Sequence, residues 1–137
     1  MPSKRDLKLD QYNISKYAYR ELHNFCLQYP EKKKRLTELR SPYSSPKITG
    51  LPHGNGISRP TENKAEQAAA LASDCRIIEE AAQEASIKDK DYIITAVTQD
   101  VPWHYLQLLK GLTTGENKFR QEKRKFYYFL AQKKKII

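Results

Sequence analysis

Gly115-Glu-Asn-Lys-Phe-Arg-Gln-Glu-Lys-Arg-Lys-Phe-Tyr-Tyr-Phe-Leu-Ala-Gln-Lys-Lys-Lys-Ile136 reads as one basic, aromatic helix behind a short Gly/Thr turn. Phe119, Phe126 and Leu130 are spaced seven and four residues apart, which puts them on one face, with Lys123 at its edge. Asn117, Lys118, Arg120, Gln121, Arg124, Lys125 and Tyr128 are left for the other faces. Just upstream, Pro102-Trp-His-Tyr-Leu-Gln-Leu-Leu-Lys110 predicts a shorter helix that stops at Gly111. Pro102 suits a first helical position, where its missing N–H costs little. Trp103, Leu106 and Leu109 would form that helix's inward stripe. A helix, a glycine-containing turn and a basic helix together make the outline of a helix-turn-helix.

Working back from that pair, Thr61 to about Ser86 is an alanine-rich helical stretch. Ala68, Leu71, Ala72, Cys75, Ile78 and Ala82 recur at three and four residues and predict a packing spine or a dimer seam. Asp91 is the expected N-cap of a helix over Tyr92–Val97, although that run is also β-branched. Residues 41–60 carry four prolines and three glycines, which exclude a continuous helix. His53-Gly-Asn-Gly56 in this loop exposes backbone N–H groups but lacks a preceding strand, so a plain turn is the favoured reading. Before the loop, Ser15 is the expected N-cap of a helix that Pro30 stops, and Glu31–Arg40 predicts a short charged helix anchored by Leu36 and Leu39. The expected fold is all-α, in three parts: an N-terminal helical segment (1–40), a Pro/Gly-rich loop or linker (41–60), and a helical core (61–137) ending in the helix-turn-helix-like pair.

The 137-residue chain carries a formal charge of +9, which favours a polyanionic partner without naming it. Over Glu116–Lys135 eight cations face two acids, whereas over Glu62–Asp91 eight acids face four cations. That asymmetry predicts divided labour between the two segments. Lys32-Lys-Lys-Arg35 is a second basic run, read as solvated surface. No apolar run approaches the ~18 residues of a membrane span, and the N-terminus lacks a signal-peptide core, so an intracellular protein is expected. Cys26 and Cys75 are expected to be buried free thiols. His23, His53 and His104 fall in no metal-ligand spacing, and neither a nucleophile elbow nor a phosphate loop is present. The expectation is a non-enzyme with no cofactor and no metal.

Ser45-Pro-Lys-Ile-Thr-Gly-Leu-Pro-His-Gly-Asn-Gly-Ile-Ser-Arg-Pro-Thr61, followed by the alanine-rich helix and the basic C-terminal region, resembles the small phage and prophage regulators of the RinA/ArpU type. The resemblance runs from about Ser45 to the C-terminus. Arg59 stands where an acidic residue is common in that family, and the turn Gly111-Leu-Thr-Thr-Gly115 is longer than usual. The resemblance implies a transcriptional regulator of a bacterial virus or prophage, acting in the host cytoplasm through a C-terminal helix-turn-helix.

On the helix-turn-helix reading, Lys118, Lys123, Lys125 and the tail Lys133, Lys134 and Lys135 would anchor phosphates. Thr114, Asn117, Arg120, Gln121 and Arg124 would reach base edges, since Asn and Gln can pair with adenine and Arg with guanine. The competing reading makes these cations a solubilising surface on a helix that packs on Trp103 and Leu106. The expected partner is double-stranded DNA, with RNA polymerase or another protein and a second copy of the chain as further candidates. Two other classes fit the same composition. One is a non-catalytic protein-binding module of a mobile element, such as an anti-CRISPR-like inhibitor of a host nuclease or defence complex. The other is a ring-forming packaging subunit. In the Tyr127-Tyr128-Phe129 cluster, some rings are expected to face outward.

Overall fold

Ser15 opens the first long element for a local reason: its side chain accepts a hydrogen bond from the backbone N–H of Ala18, satisfying one donor that a helix start leaves unpaired. The computed structural model describes residues 7–41 and 60–137, and all regular structure among them is helical. A 3-10 turn at Asp10–Tyr12 precedes α1 (Lys16–Leu27) and α2 (Tyr29–Arg40). There follow α3 (Pro60–Ala85), α4 (Lys90–Gln99), α5 (Trp103–Lys110) and α6 (Glu116–Lys133). The β-branched run Tyr92–Val97 is helical, as the all-α expectation requires. The Pro/Gly loop, with His53–Gly56 and the segment that carries the family resemblance ahead of Pro60, lies outside the described residues.

Two boundaries differ from expectation. Pro30 does not end α1; α1 ends at Leu27, and Pro30 sits in the first turn of α2, where its ring is tolerated. Helix α4 starts two residues early, with Asp89 rather than Asp91 as N-cap. Asp89 makes no capping bond, because its carboxylate accepts the Thr114 hydroxyl instead. The C-terminal stops are backbone devices. Asp100 (φ 56°) ends α4 and Gly111 (φ 80°) ends α5, both left-handed, a conformation that glycine adopts without penalty.

Helix α3 is the spine, packed against α2, α6 and α4. Cys75, Ile78, Ala81 and Ala82 are buried, while Ala68, Leu71 and Ala72 are only half-buried. The small side chains of the second half let α6 approach closely. Phe119, Phe126 and Leu130 enter the core as expected, joined by Tyr127 and Ala131. The N-terminal segment is not a separate body: Leu9, Ile14, Leu22, Phe25 and Cys26 belong to the same core. Both cysteines are buried free thiols, and burial pushes the Cys26 thiol well above its ordinary range.

The short helix α5 is less embedded than its stripe predicted. Leu106 is fully buried and Trp103 half-buried, but Leu109 is 68% exposed and Leu108 76%. The inward place goes to Leu112, beyond the Gly111 turn, whose backbone N–H donates to the Leu106 carbonyl at 3.1 Å.

Candidate nucleic-acid interface

The two halves of α6 have different surroundings. In the C-terminal half, Phe126, Tyr127, Leu130 and Ala131 are all buried, so that half is wedged into the core. In the N-terminal half, Asn117, Lys118, Arg120, Gln121 and Lys125 are exposed, and Lys123 and Arg124 are half-buried. Asn117, Gln121 and Lys125 follow one another at four-residue intervals and form one outward row, which the half-buried Tyr128 extends. Tyr128 stacks on Tyr12 at 4.9 Å, Phe129 is half-buried, and Tyr127 meets Tyr19 edge-on at 5.0 Å. The aromatic excess is thus largely taken up by the N-terminal turn and α1, without a partner molecule.

Thr114 is a correction. It is 5% exposed, and its hydroxyl donates to Asp89 Oδ2 at 2.5 Å, so it cannot reach a base edge from this position. The turn around it is pinned a second time by Trp103, whose Nε1–H donates to the Thr114 carbonyl at 2.7 Å. The α5–α6 connection is therefore tied both to the start of α4 and to the start of α5.

The lysine tail is partly engaged within the protein. Lys133 pairs with Glu84 at 3.2 Å and Glu80 at 3.5 Å, bridging α6 to the acidic face of α3. Lys134 lies 3.9 Å from the centre of the Phe25 ring, and Lys32 lies 4.2 Å from the same centre. Lys135 is exposed. In the basic run of α2, Lys32 pairs with Asp74 and Lys33 with Glu79, both at 3.0 Å, while Lys33, Lys34 and Arg35 are exposed. Burial alone would raise the Glu79 carboxyl, but the Tyr29 hydroxyl and the Lys33 ammonium outweigh it and hold Glu79 below the usual range. Helix α3 thus pairs with Lys32 and Lys33 of α2 and with Lys133 of the tail.

Two arginines of the predicted set are held in place. Arg120 pairs with Glu116 at 3.1 Å, one turn back, and Arg124 donates through Nε to the Lys8 carbonyl at 3.2 Å. With Lys123 they border a cleft of about 640 Å³ between the N-terminal segment, α1, the α4–α5 turn and α6. Charge runs and spacing gave no hint of this concavity, because its walls come from segments far apart in the chain.

A buried polar cluster also escaped the sequence reading. Glu122 is 6% exposed, on the inward side of α6 between Phe119 and Phe126, and meets Asp89 and Ser86. Burial first, and then the Asp89 carboxylate, raise the Glu122 carboxyl above its ordinary value. One Glu122 oxygen, Oε1, has no hydrogen-bond partner. The available signal was an acid on the apolar stripe of α6, three residues after Phe119. Among the described residues no three His, Cys, Asp or Glu side chains converge as a metal site. No helix among them is long and apolar enough to cross a membrane.

Comparison of the chain with protein-family models, with curated proteins and with solved structures finds no match.

Proposed function

We propose that this chain is a non-enzymatic, DNA-binding regulator of phage or prophage transcription, working in the cytoplasm of a bacterial host. The observation that carries the reading is the outward row Asn117, Gln121 and Lys125 on the N-terminal half of α6, flanked by Lys118 and Arg120. Its side chains suit a major groove: amides for adenine, a guanidinium for guanine, and ammonium groups for the phosphates on either side. The opposite face of the same helix is anchored by Phe119, Glu122 and Phe126, which supports a rigid reading head. The resemblance of the Ser45–Thr61 segment to the RinA/ArpU-type regulators supports the viral setting.

The test is selection from a pool of random duplexes at two salt concentrations, with sequencing of what is retained. A motif that persists at the higher salt is expected. Arg120→Ala should change the preferred motif, whereas Lys125→Ala should weaken all duplexes about equally. Motif-free binding that disappears with salt would reject sequence reading.

One observation favours a second reading. Leu108 and Leu109 present two large apolar side chains to solvent on α5, beside the basic helix. This suits a contact with another protein, such as RNA polymerase, a second copy of the chain, or the host complex that an anti-CRISPR-like inhibitor would occupy. A protein-binding module would keep its partner affinity without DNA and would lose it on Leu108→Ser with Leu109→Ser.

A further inference from the structure

Four separate segments meet at one buried polar point on the inward side of α6. Ser86 follows the end of α3, Asp89 is the N-cap of α4, Thr114 lies in the turn before α6, and Glu122 lies on α6 itself. Asp89, Thr114 and Glu122 are all buried. The Asp89 carboxylate accepts the Thr114 hydroxyl at 2.5 Å, and the Ser86 hydroxyl accepts the Asp89 N–H at 3.1 Å. Glu122 meets both Asp89 and Ser86. One more bond carries the cluster outward, from Trp103 Nε1–H to the Thr114 carbonyl at 2.7 Å.

Two ionised carboxylates offer acceptors only, so neither can donate to the other. A single proton between them gives one carboxyl a donor for its neighbour and removes one of two like charges. The orphaned Glu122 Oε1 points the same way. A charged oxygen without a donor is costly to bury on a side chain 6% exposed, whereas a neutral carboxyl loses far less. The charged groups that bear on Glu122 are Asp89, which favours the proton, and Lys118, four residues back on α6, which opposes it. The neutral Ser86 hydroxyl also opposes it. On α5 the ionisable neighbour of Trp103 is the exposed His104.

We propose that Asp89 and Glu122 form a proton-operated latch on the basic helix. While the two carboxyls share a proton, α6 and the turn before it are drawn to the corner between α3 and α4. Loss of that proton leaves two facing carboxylates, whose repulsion loosens Thr114 and, through its carbonyl, the Trp103 indole. The latch is closed at low pH and opens as pH rises through the raised Glu122 value. The outward row Asn117, Gln121 and Lys125 rides on the same helix, so the proton governs how firmly that row is presented. The latch itself does not depend on duplex binding.

Trp103 is the only tryptophan of the chain, so its indole N–H gives a single signal from the far end of this network. The experiment follows that signal and the Glu122 side-chain carboxyl carbon by NMR in the full chain as pH is raised. Far-UV circular dichroism covers the same range. Both signals are expected to move together, above the ordinary carboxylate range, while helix content holds. Glu122→Gln, whose amide keeps a donor toward Asp89 at every pH, should abolish the indole step. Asp89→Asn, which removes the second charge, should move the Glu122 midpoint down. His104→Asn should leave the step as it is. The proposal is overturned if the Glu122 carboxyl titrates within the ordinary range or if the indole stays still while it titrates. It is equally overturned if the step survives Glu122→Gln or vanishes in His104→Asn. The carboxyl signal is read in the wild type, so it decides the matter even where a variant fails to fold. None of these readings uses DNA, so the latch and the duplex-binding reading fail separately.

Discussion

The Thr114 hydroxyl donates to the buried carboxylate of Asp89 across 2.5 Å, tying the turn before α6 to the start of α4. Removing that donor while keeping the shape should leave Asp89 short of a partner in a place water does not reach. Thr114→Val is expected to cost about 1–3 kcal/mol in urea unfolding, and Thr114→Ser much less. Any loss of DNA affinity in Thr114→Val should scale with the lost stability, because the side chain does not face outward.

Glu122 makes stability depend on pH in a defined direction. Burial and the Asp89 carboxylate raise its folded-state acid constant above that of the unfolded chain. The contribution of protonated Glu122 is therefore complete below the unfolded value and declines as pH rises through the raised folded value. Denaturation midpoints measured from acid to mildly alkaline pH should show that decline in the wild type, and Glu122→Gln should flatten it. A wild-type profile unchanged by Glu122→Gln would show that the Asp89–Glu122 contact holds no proton.

Lys133 and Lys125 are both lysines of α6, but they should behave differently. Lys133 is engaged by Glu80 and Glu84, and all three groups are partly solvated, so Lys133→Ala should cost only about 0.2–1 kcal/mol of stability. Its effect on duplex affinity should be smaller than that of Lys125→Ala, which removes a charge from the outward row. Equal losses in a salt titration would return the tail to the interface.

Gly111 ends α5 with φ 80°, and a methyl group added there would meet only the Tyr92 hydroxyl at an ordinary 3.9 Å. The cost of Gly111→Ala is then conformational, about 1–2 kcal/mol, and Gly111→Asn should recover part of it. Thermal unfolding of the two variants checks this order.

The helices were legible where local chemistry decides them. Ser15, Pro102 and Gly111 mark ends because their effects act within one turn, and Phe119, Phe126 and Leu130 share a face at any tertiary arrangement. The site was less legible because its partners are distant. A threonine before a basic helix looks like a DNA contact until Asp89, 25 residues earlier, is seen to hold it. The opposite charges of α3 and α6 read as attraction to phosphate and repulsion from it, whereas part of that charge is satisfied between the two helices. Leu109 was misassigned because an eight-residue helix needs few inward positions, and Leu106 with Leu112 after the turn already fill them.

The bond from Arg124 to the Lys8 carbonyl, spanning 116 positions, and the stacking of Tyr12 on Tyr128 have a consequence for the order in which the protein is made. Leu9, Leu22 and Ile78 leave the ribosome long before Phe126 and Leu130, the side chains of α6 that share their core. Until α6 emerges, the apolar side chains that it covers in the finished core lack that cover. Non-local closure of this kind is slow, and uncovered apolar surface is prone to aggregation while it lasts. The helix proposed to meet DNA is thus also the one that completes the body, so a nascent chain without a finished core has no reading head to offer.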